Sequence, residues 1–187
     1  MDSLLMWIFS WVCAQNVEHT WAPAGELLPM CQRCTGFYAG AAIALFLMFL
    51  FRPQVDSRYR WIHTILVLAM APFGFHLVSH GPIIRTLSGV WFGFGVVGLL
   101  WLFPGEKFFT GKSSTAMAKH LHVNLGLSSF ILLPAFARWG GGVAAEILPW
   151  LALLGLVAIA GLTLTNSALF LSWFFNSLIR RLGCQTT

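Results

Sequence analysis

The sequence predicts an all-α, polytopic transmembrane bundle. Of its 187 residues, 58% are hydrophobic and 9% charged, and the mean hydropathy is +0.78, far from the balance of a soluble globular domain. The apolar residues gather into runs that approach or reach the length needed to cross a hydrocarbon core about 30 Å thick. Lys and Arg stand at the ends of those runs, so the +5 formal charge forms no basic face interleaved with stacking aromatics. Nucleic acid is thereby excluded as a partner, and the lipid bilayer is the expected surroundings. One membrane domain over 1–187 is expected, with no separate soluble unit.

The first run, Leu4 to Cys13 ("LLMWIFSWVC"), reads as a helix too short to span comfortably: tilted, re-entrant or interfacial. Asp2 stands where a cleavable leader would carry positive charge, so the N-terminus is expected to be retained. Five spans follow: about Tyr38 to Phe51, Trp61 to Val78, Ile84 to Phe103, Leu121 to Ala137, and Leu148 into the Phe170s. The first reaches spanning length only if the residues from Cys34 onward join it. The last apolar region, Ala144 to Ile179, is longer than one span needs and is interrupted by the polar "TLTN" of Thr163 to Asn166. A tilted helix with an amphipathic tail and a helix kinked near Pro149 both fit.

Orientation follows from the basic residues. Arg52, Arg58 and Arg60, then Lys107, Lys112 and Lys119, then Arg180 and Arg181 make up eight of the 11, and five alternating spans put all eight on one side. The positive-inside rule makes that side cytoplasmic, in an inner or plasma membrane, together with the C-terminus. The "CQRC" of Cys31 to Cys34 then sits at an extracytoplasmic helix end, along with Arg85 and Arg138.

An internal echo suggests duplication. "RCTGFYAG" from Arg33 is matched by "RTLSGVWFG" from Arg85, each opening a helix on the same face, which predicts two parallel hairpins over about 4–52 and 59–103, followed by helices in 121–180. The pairs Gly36 with Gly40 and Gly89 with Gly93 are small-x-x-x-small patterns that let helix backbones approach closely in lipid.

The chemistry-bearing residues collect at the outer face. Cys31 and Cys34 stand at a helix mouth, where the macrodipole and the Arg33 guanidinium favour a thiolate. Cys31, Cys34 and Arg33 are therefore the catalytic candidates for thiol exchange, with a membrane quinone as electron acceptor. A structural disulfide, with Cys13 pairing one of the two, is the plain alternative, since three outer cysteines cannot all pair. For a metal, Cys13, His19, Cys31 and Cys34 offer a Cys3His set, and His76 and His80, one helical turn apart, add zinc or copper ligands or else cap a helix end. Arg33 and Arg85, near helix N-termini, also suit an anionic lipid headgroup, phosphate or carboxylate. Snorkelling to lipid competes with that reading. Only six acidic residues are present, which leaves a buried carboxylate proton relay unsupported, and no nucleophilic triad, phosphate loop or dinucleotide fingerprint occurs.

"CAQ" at Cys13, "PMCQRCTGFYAG" from Pro29 and "PFGFHLVSHGPIIRTLSG" from Pro72 together resemble the domain of unknown function 2085, a group of small polytopic membrane proteins. The resemblance covers roughly the first half of the chain. It implies that Cys13, Cys31, Arg33, Cys34, Gly36, Tyr38, Gly40, Arg85 and Gly89 occupy motif positions, with Tyr38 joining Arg33 and Arg85 as candidates for holding a bound group. Ala14 stands where the family tends to have His, and His76 near the place of an Asp-Gly, so a site relying on those residues is altered here. The expected function is thiol redox or metal handling at an outer-face Cys/His/Arg site. The alternative is an accessory subunit of a membrane complex that binds lipid headgroups through Arg33 and Arg85.

Overall fold

In the computed structural model the backbone is described for residues 3–53, 55–75, 77–109 and 116–183 and side chains for 3–53, 55–75, 77–108 and 125–180. The described residues include eight α-helices: α1 (Ser3–Ser10), α2 (Gln32–Phe51), α3 (Ser57–Leu68), α4 (Ala71–Gly74), α5 (Pro82–Leu100), α6 (Leu102–Phe109), α7 (Ala116–Trp139) and α8 (Gly141–Gly183). Three are long and apolar enough to cross a membrane: α2, α5 and residues Gly141–Arg180 of α8. Leu125–Trp139 of α7 adds a shorter apolar stretch.

Local chemistry sets the breaks. Cys31 is the N-cap of α2, so the whole motif belongs to the first span and extends it to 20 residues. The expected Trp61 to Val78 span is divided, because α3 ends at Leu68 after 12 residues, about 18 Å of helix. Pro72 has no N–H to give the Leu68 carbonyl, which ends the helix there. Gly81 caps α5 and Pro82 occupies its first turn, where the missing N–H costs nothing. Pro104 in turn leaves the Leu100 carbonyl without its helical donor, and the Asn166 side chain of α8 supplies one, Nδ2 to O 2.7 Å. The polar interruption in the last apolar region thus mends a proline break in another helix. Pro149 lies inside α8, which is one continuous helix of 43 residues, about 65 Å long. α1, at eight residues and about 12 Å, lies against the bundle through Leu5 and Phe9.

The glycines set the centre of the bundle. A Cβ on Gly36 would fall 2.0 Å from the Thr86 carbonyl oxygen, and one on Gly89 would fall 2.2 Å from that of Arg33. Gly40 likewise meets Val90, and Gly93 meets Phe37 and Ala41. These contacts advance together along both chains, so α2 and α5 run parallel, backbone against backbone, as small-residue faces permit. On α3 the order reverses: Val67 meets Gly95, and His63 meets both Gly95 and Gly98. α7 is also antiparallel to α5, with Phe94 against Gly126 and Trp91 against Phe130. Gly155 of α8 packs on Tyr38 and Ala42, while Asn166 reaches Leu100, so α8 runs with α2 and α5. Direction alternates through the five segments the sequence marks. Phe9, Met30, Met48, Val90, Val97 and Leu148 are fully buried among them.

Candidate functional site

One segment folds over the N-terminal ends of α2 and α5. Residues 11–31 turn back through 3-10 turns at Val17–His19 and Pro23–Gly25 and are tied by a bridge between Thr20 and Cys31. Gln15, at φ 49°, places its side-chain amide between Met6 O and Pro29 O, 2.9 Å from each. That clamp fixes the end of α1 beside the start of α2. Trp21 Nε1 donates to Thr86 Oγ1 at 2.8 Å, joining the same cover to α5 in a buried hydrogen bond.

The clamp brings Cys13 to the helix mouth. The Sγ atoms of Cys13, Cys31 and Cys34 all lie within 4.8 Å of one another, and all three are free thiols. Cys13 is buried and the other two are half-buried. Cys13 Sγ accepts from the backbone N–H of Cys31 at 3.3 Å and of Gln15 at 3.4 Å. The thiols of Cys31 and then Cys34, with those N–H groups, hold Cys13 far below the ordinary thiol range, overcoming the opposite effect of its burial. Hydrogen bonds to the charged form are the cause.

The histidines go elsewhere. His19 Nδ1 meets Arg85 Nη1, so His19 turns to the arginine and is not part of the thiol cluster. His80 Nδ1 lies 2.6 Å from Val78 O and so is the protonated ring nitrogen, which leaves Nε2 as acceptor for Arg33 Nη2 at 3.0 Å. The same Nη2 donates to Phe73 O at 2.8 Å. Each arginine therefore pairs with a histidine from the segment that precedes the other arginine's helix. The glycine contacts match Gly36 to Gly89, which sets Arg33 against Thr86 and places Arg85 one residue away from strict correspondence. Arg33 Nε and Gln32 Oε1 are buried without a hydrogen-bond partner. Tyr38 lies one turn beyond Cys34, packed against Phe9 and Phe37, and forms a wall of the site. His76 and Cys184 lie outside the described residues. Gln15 is the contributor whose role the residue types alone did not reveal: its motif position was visible, its clamp was not.

Residues 13–99 match the family model described as "Predicted membrane protein (DUF2085)". Over those residues the chain is similar to this family. The matched segment begins at Cys13 and takes in all three thiols, both arginines and the α2–α5 glycine contact, while α7 and α8 fall beyond it. No curated protein and no solved structure matches the chain.

Proposed function

We propose that this protein handles a soft, thiophilic metal ion, zinc or Cu(I), at an extracytoplasmic site formed by Cys13, Cys31 and Cys34. The observation that carries this reading is the convergence of three thiols, an odd number that a disulfide cannot use up. Metal–sulfur bonds of about 2.3 Å imply sulfur separations of roughly 3.8 Å in a tetrahedral site, so closing from within 4.8 Å needs only side-chain adjustment. Thiolate donors select zinc and Cu(I) over hard cations. Three protein ligands leave a coordination position for an incoming or departing group, which suits transfer better than a closed structural site. His19 and His80 are held by Arg85 and Arg33, which leaves the three thiols as the donor set.

Elemental analysis of the purified chain after loading with Zn(II) or Cu(I) tests this. About one ion per chain, lost in each of Cys13→Ser, Cys31→Ser and Cys34→Ser, is expected. Full alkylation of all three thiols after loading, with no retained metal, would end the reading.

A redox role is the second reading, favoured by the placement of Cys31 at the N-cap of α2 and Cys34 in its first turn. There, oxidation of the two thiols to a disulfide would release two protons and two electrons to a membrane quinone, giving the quinol. A lipid-binding accessory role draws on the buried, unpaired Arg33 Nε, a donor suited to an anionic headgroup. The reciprocal glycine contacts support two related hairpins as the frame for any of these.

A further inference from the structure

We infer that α8 forms a parallel, two-stranded seam with α8 of a second copy of this chain. Along the helix, Val143, Trp150, Val157, Leu164, Leu171 and Leu178 recur every seven residues, and Ile147, Leu154, Gly161, Ala168 and Phe175 interleave with them at the 3,4 spacing of coiled-coil a and d positions. Every one of these eleven positions is exposed, while the face toward the bundle buries Ala144, Leu148, Ala152, Ala158 and Leu162.

The stripe is selective. Each of the other five heptad positions acquires a polar residue between 143 and 180: Asn176, Thr163, Thr165, Asn166 and Glu146 are one from each. Lipid would ask only that the whole outward surface be apolar, with no preference for a seven-residue repeat. The stripe also continues past the bundle. Among the described residues Asn166 makes the last hydrogen bond from α8 to another helix, and the apolar seam persists through Leu171, Phe175 and Leu178, all exposed. A helix about 65 Å long exceeds a hydrocarbon core of about 30 Å, so tilt alone leaves much of this stripe without lipid.

The second copy is the occupant that fits. Two chains inserted with the same topology present α8 in the same direction, and a two-fold axis along the membrane normal then sets each a and d residue against its own counterpart. Gly161 and Ala168 at successive a positions let the helices approach closely at mid-length, and leucines at three consecutive d positions follow. Within one chain a Cβ on Gly161 would meet nothing within 4 Å, so that glycine has no packing role in the monomer.

The test uses the full chain in native membranes and then in detergent. In a Cys184→Ser background, Leu164→Cys and Leu171→Cys on the seam are compared with Phe170→Cys, one position off it, by disulfide trapping in the membrane. Native mass spectrometry of the Gly161→Leu variant is the second measurement. Faster trapping at 164 and 171 than at 170, with a dimer mass that Gly161→Leu shifts to monomer at unchanged thermal stability of the chain, is expected. A monomer mass at all concentrations, equal trapping at 170, or a dimer indifferent to Gly161→Leu would each overturn it, the first leaving lipid as the covering.

Discussion

Cys13 is distinguished from its two neighbours by what it accepts. Two thiols and two backbone N–H groups converge on its sulfur, so the folded chain favours its thiolate over a pH range where an unfolded chain, with a thiol near 9, holds the proton. The sign follows: a lowered value stabilises the fold fully above the unfolded value, and that contribution shrinks as pH falls toward the folded one. An ordinary thiol loses about tenfold in thiolate for each pH unit below its pKa. Labelling of Cys13 by a small methanethiosulfonate is therefore expected to stay nearly flat from pH 8 to 6, read by mass spectrometry against the denatured chain. A slope parallel to the denatured control would remove the argument. Gln15→Ala, which releases the clamp on Met6 O and Pro29 O, is expected to steepen the profile. The cysteines were legible as site residues because thiols at a helix mouth are chemically conspicuous. The diversion of His19 and His80 was not, because residue type cannot tell a ligand from a hydrogen-bond acceptor for an arginine 66 or 47 positions away.

Among the helices, the strongest constraint is the backbone contact between α2 and α5. Gly36→Ala or Gly89→Ala places a carbon about 2 Å from a carbonyl oxygen, and the obstruction is backbone, which no rotamer change relieves. Overpacking of this kind costs about 1–3 kcal/mol or more, so each variant is expected to lower the thermal midpoint in detergent, while Gly81→Ala, with open space around it, serves as the contrast. Equal midpoints for the three would contradict the close packing. The Asn166 contact predicts a second effect: Asn166→Leu keeps the branched shape, adds bulk and strands the Leu100 carbonyl above Pro104, costing about 1–3 kcal/mol. Ser167→Leu, at an exposed neighbour, is the control for added bulk. The glycine pairs could be read from spacing alone, since small residues four apart have one common use in lipid. The division of the Trp61 to Val78 run could not be read from hydropathy, which stays high across Ala69 to Phe73, because the cause is one missing N–H at Pro72.

For the whole molecule, the alternating helix directions turn a charge count into a statement about sides. Arg52 caps the end of α2, Arg58 and Arg60 open α3, Lys107 closes α6, and Arg180 lies at the end of α8. With α2, α5 and α8 parallel and α3 reversed, these five share one end of the bundle. Arg33, Arg85 and Arg138 share the other end with the thiols. A membrane sorts such an arrangement by retaining the richer end in the cytoplasm, so the Cys13, Cys31 and Cys34 cluster is expected to face outward. Glu26→Cys, exposed beside the cover, and Ser57→Cys, exposed at the start of α3, report the two ends with a membrane-impermeant thiol reagent on vesicles of defined sidedness. Label entering position 26 from the outside and position 57 from the inside is expected. The reverse pattern would place the thiols in a reducing compartment, where persistent free thiols need no metal to protect them and a disulfide relay loses its oxidising surroundings. Labelling of both from one side would go further and contradict the antiparallel placement of α3, on which the common end for the arginines depends.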